Sequence, residues 1–190
     1  MDLYEAFDRA ITSTAAIVKT VRPDQAGAPT PCTEWDVRDL LNHVIGTLWL
    51  SEALFTDRAP RYPMAPGGLP GTDLAGADPA AAYIDASAAA LTAAGTGDTL
   101  TRMHPTPLGD MPGPALAGFT TLDIVVHGWD LAKATGQPAV LDDALAAHAL
   151  AFAEQAITPD FRAPRIGPAL PVAMDAPLTD RLVAFLGRHP

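Results

Sequence analysis

Gly118-Phe119-Thr120-Thr121-Leu122-Asp123-Ile124-Val125-Val126-His127-Gly128-Trp129-Asp130-Leu131 is the stretch whose reading decides the fold. Wound as a helix, it carries apolar side chains on nearly every face, which marks a buried helix. The pattern extends over residues 113 to 135. Pro114 is tolerated in a first turn, and Gly136 suits a C-terminal cap. A helix so enclosed needs other helices around it.

The flanking sequence supplies them. Leu3, Phe7, Ala10, Ile11, Thr14, Ile17, Val18 and Val21 recur at three- and four-residue spacing and predict a helix over residues 2 to 21, ended by Arg22-Pro23. Thr33 reads as the N-cap of a second helix, with Asp36 in the capping-box position. That helix runs to about Thr56 on a stripe of Val37, Leu40, Leu41, Val44, Leu48 and Phe55. Residues 57 to 78 hold four prolines and four glycines and read as an exposed loop. Asp78-Pro79 opens an Ala-rich helix over 79 to 94. Residues 99 to 104 read as a short strand, with loop continuing through Pro105, Pro107 and Gly109. After the buried helix, Asp142 or Asp143 begins another to about residue 157, and residues 158 to 177, with five prolines, read as mostly extended. Leu178 to Gly187 predicts a last short helix. The sum is an all-α chain, a single domain over residues 1–190. Its simplest packing is an up-down four-helix bundle, with extra C-terminal helices and long loops.

Composition narrows the function. With 190 residues and 48% hydrophobic content, the chain can bury a core. A net charge of −10 makes it a poor partner for nucleic-acid phosphates or an anionic membrane surface. Cys32 is the sole cysteine, so there is no intrachain disulfide. The start, Met1-Asp2-Leu3-Tyr4-Glu5, is acidic where a secretory signal is basic. The apolar runs fall short of the roughly 18 residues that a membrane-crossing helix needs. A soluble cytoplasmic protein is expected.

The chemistry centres on Asp123 and His127. Their i, i+4 spacing places them on one face of the apolar helix. A buried carboxylate without a partner costs several kcal/mol, on the order given by transfer data. The two can therefore bond each other, or share a divalent metal. His43, at the margin of the second helix's stripe, is the best third ligand; its plainer reading is a half-buried packing histidine. Three protein ligands with an open position describe a catalytic rather than a structural zinc site. Asp130 shares the face of Asp123 and His127 and reads either as an acceptor for a ligand histidine or as a group bonding loop amides. His104 reads as solvated in a Pro-rich loop, His148 as packing or surface, and His189 as frayed. Cys32 reads as a small half-buried loop thiol, because no basic residue lies close in sequence. Trp35 packs at the start of the second helix, Trp49 is core, and Trp129 faces away from His127. Walker, Rossmann, nucleophile-elbow and paired-cysteine motifs are absent from the sequence.

Three segments carry a family resemblance. They are Thr30-Pro31-Cys32-Thr33-Glu34-Trp35-Asp36-Val37-Arg38-Asp39-Leu40-Leu41-Asn42-His43-Val44, then Asp123 through Gly136, then Ala176 through Arg188. In that order they resemble an actinobacterial family related to the metal-binding domain of mycothiol-dependent maleylpyruvate isomerase, within the DinB/YfiT-like superfamily. The resemblance implies a four-helix bundle with a metal held by His43, Asp123 and His127. The isomerase uses Glu at the acidic position. Asp is one methylene shorter, so the metal would sit closer to that helix or be bridged through water. The isomerase also carries a second domain, for which this chain has little room.

Two functional readings follow. The first is a divalent-metal enzyme acting with a low-molecular-weight thiol, mycothiol in the related isomerase, on an electrophile. Zinc suits the ligand set, and nickel, iron or manganese share it. The second is a non-catalytic module that holds a metal or small ligand. A homodimer is compatible with either.

Overall fold

Asp2 accepts a hydrogen bond from the Glu5 amide at 2.8 Å and starts α1, Leu3–Val18. The computed structural model describes residues 1–65, 67–106, 109–162 and 166–190. The loop readings at Pro66 and Pro107, and the extended reading over 163–165, lie outside the described residues. The chain forms two compact units, Asp2–Ala139 and Val140–Pro190 together with Met1.

The first unit holds α1, a short 3-10 turn at Pro23–Gln25, α2 (Val37–Phe55), α3 (Pro79–Ala94), a two-stranded ribbon of β1 (Met103–His104) and β2 (Met111–Pro112), and α4 (Gly113–Thr135). It is an all-α bundle of four helices. The α1 helix packs chiefly against α4 and α3, and α2 packs against α3 and α4. Sequence neighbours α1 and α2 therefore occupy opposite corners, which corrects the simplest up-down arrangement. The connection over residues 19–36 is long enough to cross the bundle.

The buried helix is as expected. Leu116, Ala117, Leu122, Ile124, Val125, Val126, Trp129 and Leu131 are all buried, and Gly136 closes α4 in the left-handed conformation at φ 71°. Close packing against α1 depends on Gly128. A Cβ there would lie 2.3 Å from Thr14 Oγ1, which donates to the Ile124 carbonyl at 3.0 Å. The buried stripe of α1 is Ala6, Phe7, Ala10, Ile11, Thr14 and Val18.

The start of α2 differs from the sequence reading. The cap is Asp36, not Thr33. Asp36 accepts from the Asp39 amide at 2.9 Å, and Asp39 accepts from the Asp36 amide at 3.4 Å. The first free amides of α2 find other acceptors: Val37 donates to the Ala28 carbonyl at 3.0 Å and Arg38 to Ala26 at 2.9 Å. An isolated bridge between Pro29 and Asp36 keeps this segment extended, so residues 30–35 form a turn outside the helix. In that turn Trp35 donates to the Cys32 carbonyl at 2.8 Å.

Three other expectations are corrected. Loop 57–78 does not simply lie in solvent. Asn42 Oδ1 accepts from the Leu74 and Ala75 amides at 2.7 and 2.9 Å, Arg38 pairs with Asp73, and Ala75 is buried. His104 is not solvated but fully buried, because its ring nitrogens face the Leu54 and Thr99 carbonyls at 3.0 and 2.7 Å. Trp49 is half-buried rather than core, set against Tyr62 and under the Arg61 guanidinium.

In the second unit Asp142 caps α5 (Asp143–Ala156), accepting from the Leu145 amide at 3.0 Å. A single helical turn, α6 (Pro159–Arg162), interrupts the expected extended tail, and α7 (Leu178–Phe185) packs against α5. The Arg162 guanidinium ties the unit by donating to the Gly167 and Phe185 carbonyls at 2.7 and 2.9 Å. His148 is half-buried on α5 and His189 is exposed. Among the described residues no helix is long and apolar enough to cross a membrane.

Gly128 yields a test of the α1–α4 contact. Alanine ordinarily stabilises a helix interior over glycine by about 1 kcal/mol. Here Gly128→Ala should instead lower unfolding free energy by about 1–3 kcal/mol in a denaturant titration, through overpacking. Adding Thr14→Ala, which removes the clashing hydroxyl, should return part of that loss. A Gly128→Ala protein as stable as the wild type would contradict the close approach.

Candidate metal centre

The centre is assembled from four stretches of the first unit. His43 sits on the second turn of α2, Asp123 and His127 one turn apart in the middle of α4, Cys32 and Trp35 in the turn before α2, and Gly68 in the loop tied to α2. The structure brings His43, Asp123 and His127 together, as the sequence reading grouped them. Asp123 Oδ1 lies 3.2 Å from His43 Nε2 and 3.5 Å from His127 Nε2. The two imidazoles meet edge to face, with centroids 4.7 Å apart.

The outward nitrogens of both rings have their own acceptors. His43 Nδ1 lies 2.6 Å from the Gly68 carbonyl oxygen. His127 Nδ1 lies 2.9 Å from Asp130 Oδ2, and Asp130 is fully buried. Assigning an N–H to each Nδ1 satisfies these acceptors and leaves both Nε2 lone pairs directed at Asp123. Two lone pairs and a carboxylate oxygen at this range repel unless a proton or a cation lies among them. Asp123 Oδ2 is buried and accepts no hydrogen bond among the described residues. The electrostatics agree. Burial alone would push the Asp123 carboxyl up, but positive charge on the protonated imidazoles beside it outweighs burial and holds Asp123 below the ordinary carboxylate range, so a proton fills the role where no cation lies. Burial alone would pull His43 down, but the Asp123 carboxylate and the Gly68 carbonyl hold it above its ordinary value.

The donor spacing suits a divalent metal. Zinc bonds of about 2.0–2.1 Å to nitrogen and oxygen imply nitrogen–oxygen separations of about 3.3 Å around a tetrahedron. The two observed separations bracket that length. The shorter Asp side chain therefore still reaches both rings directly.

The sequence reading missed what covers the centre. Trp35 stacks on His43 with centroids 4.5 Å apart and approaches His127 at 5.7 Å. Gly68, at φ 85°, lies against both His43 and Trp35, where a Cβ would come within 3.4 Å of each ring. Cys32 Sγ lies 3.3 Å from Asp130 Oδ2 and 3.7 Å from His127 Nδ1. The sequence signal was Cys32 and Trp35 standing just ahead of the helix that bears His43. The position of Trp35 outside the helix, set by the Asp36 cap, was what it did not reveal. His104, His148 and His189 are not part of this centre.

Comparison with known proteins bears on this arrangement. The family model described as the mycothiol maleylpyruvate isomerase N-terminal domain matches residues 7–132, a span that contains all the residues of the centre. The chain is 40% identical over 195 residues to the uncharacterized protein MT0763 of Mycobacterium tuberculosis strain CDC 1551. The same figures hold for the uncharacterized protein Rv0738 of strain H37Rv, and in both cases 99% of this chain and 98% of the relative are covered. No solved structure matches the chain. With a match that spans most of its length and every residue of the centre, the chain belongs to the mycothiol maleylpyruvate isomerase N-terminal domain family.

Proposed function

We propose that the chain is a divalent-metal enzyme that uses a low-molecular-weight thiol, mycothiol first among them, in a thiol transfer or thiol-assisted isomerisation. His43, Asp123 and His127 hold the metal, zinc by preference. The observation that carries the reading is the convergence of two imidazole Nε2 atoms on Asp123 Oδ1 while Oδ2 stays buried without a partner. Family membership supports the link to mycothiol.

Each residue has a task in this reading. Gly68 fixes the His43 ring by accepting from Nδ1, and Asp130 does the same for His127. These outer contacts keep both Nε2 lone pairs available and raise their basicity. Trp35 and Gly68 wall the His43 side, which restricts water there. A divalent metal, when bound, supplies the Lewis acidity that favours the thiolate form of a thiol nucleophile. The substrate is then a small electrophile such as maleylpyruvate or a haloarene. The acidic chain, at net charge −10, acts on small molecules rather than nucleic acid.

Elemental mass spectrometry on untagged protein tests the ligand set. In a Cys32→Ser background, which disables the neighbouring donor set, the protein should carry close to one divalent metal per chain, and His43→Ala, Asp123→Ala and His127→Ala should each lose it. An empty wild type that resists reloading would show that the triad is not a metal site. Asp130→Asn should keep the fold and weaken metal affinity by about 10–100-fold, measured by chelator competition. Thiol consumption should be metal-dependent with mycothiol and an electrophile of these classes. A loaded protein with no turnover on any of them would favour a non-catalytic binding module.

A further inference from the structure

His127 is shared by two donor sets. Its Nε2 faces His43 and Asp123, and its Nδ1 faces Cys32 and Asp130. We propose that Cys32, His127 and Asp130 form a second site, one that takes a thiophilic divalent cation through Sγ, Nδ1 and Oδ2.

The spacing supports this. Sγ to Oδ2 is 3.3 Å, Sγ to Nδ1 is 3.7 Å, and Nδ1 to Oδ2 is 2.9 Å. Metal bonds of about 2.3 Å to sulfur and about 2.0–2.1 Å to nitrogen and oxygen imply ligand separations of about 3.5 Å to sulfur and about 3.3 Å between nitrogen and oxygen. The three atoms thus stand within a few tenths of an ångström of a tetrahedral face. Asp130 is fully buried, which supplies a fixed carboxylate, and Cys32 is partly exposed, which supplies a way in. A thiolate and a carboxylate together match the charge of a divalent ion. Sulfur selects softer cations than the all-nitrogen-and-oxygen set on the other side of the ring.

Proton accounting makes the two positions alternatives. In the cation-free centre the Cys32 thiol and His127 Nδ1–H both point at Asp130 Oδ2. A cation here replaces the thiol proton, which leaves to solvent. The Nδ1 proton is given up and Nε2 gains one, so one proton is released per cation bound. Nε2–H then donates towards Asp123 Oδ1, 3.5 Å away. A neutral imidazole has one lone pair, so filling this site removes His127 from the other set. The second site itself does not rest on the first being a metal site; only the exclusion between them does.

The test is a titration of the full chain, reduced and stripped of metal, with cadmium chloride alone. The readout is the ultraviolet thiolate-to-cadmium charge-transfer band. Wild type should show a band that saturates at one cadmium per chain. His43→Ala, which disables the first set, should keep it, and Cys32→Ser should abolish it. Asp130→Asn should weaken binding by at least about ten-fold. Cadmium NMR on the wild type reads the donor set directly and should report sulfur, nitrogen and oxygen together. A wild type without the band, a band lost in His43→Ala, a band indifferent to Asp130→Asn, or a resonance from thiolate and water alone would each overturn the proposal. A wild type that fails to hold zinc would overturn the proposed function and leave this result standing.

Discussion

A carboxylate in the apolar middle of α4 is the constraint around which the first unit is organised. Asp123 stands on a helix whose neighbouring side chains are almost all buried, and one of its oxygens accepts no hydrogen bond among the described residues. Such a group destabilises a fold unless something compensates its charge. The compensation comes from His43 across the bundle and His127 one turn along. Both rings are in turn held from behind, by a loop carbonyl and by a second, fully buried carboxylate. The chain therefore commits polar contacts in several layers to one spot, far more than a helix-orienting pair requires.

The bundle makes that layering possible. The α2 and α4 helices are adjacent, so their facing sides bring His43 to Asp123. The α1 helix presses on α4 at Gly128, between His127 and Trp129, and so fixes the height and rotation of the face that bears His127 and Asp130. Stability and site geometry meet at that contact. The loop over residues 57–78, held to α2 by Asn42 and Arg38, then places Gly68 on His43. A segment rich in proline and glycine becomes part of the wall because its amides and side chains have partners on the helix.

Helix existence was legible in the sequence because apolar periodicity is local. The stripes on α1 and α2, the Asp78-Pro79 start of α3, the apolar length of α4 and its Gly136 cap all stand in the structure near their predicted limits. The reading slipped where two local signals competed. Thr33 and Asp36 both resemble helix caps, and a bridge from Pro29 to Asp36 decided for Asp36. That displacement of a few residues matters, because it frees Trp35 to lie over the rings. His104 was misread for a related reason. A proline-rich surrounding suggests solvent, yet two backbone carbonyls drawn from distant positions enclose the ring.

By itself the sequence determined the all-α class, the pairing of Asp123 with His127 and the choice of His43 as their partner. Helical spacing and the cost of burying a charge are properties of the chain read along its length. Only the tertiary structure decided which nitrogen of each ring faces the carboxylate, that Asp130 bonds His127 rather than loop amides, that Gly68 holds the His43 ring from behind, and that Cys32 stands beside Asp130. The Gly68 and Cys32 contacts join residues 25 and 98 positions apart. They depend on loop paths and on the crossing of α1 to the far corner of the bundle, which no local pattern encodes.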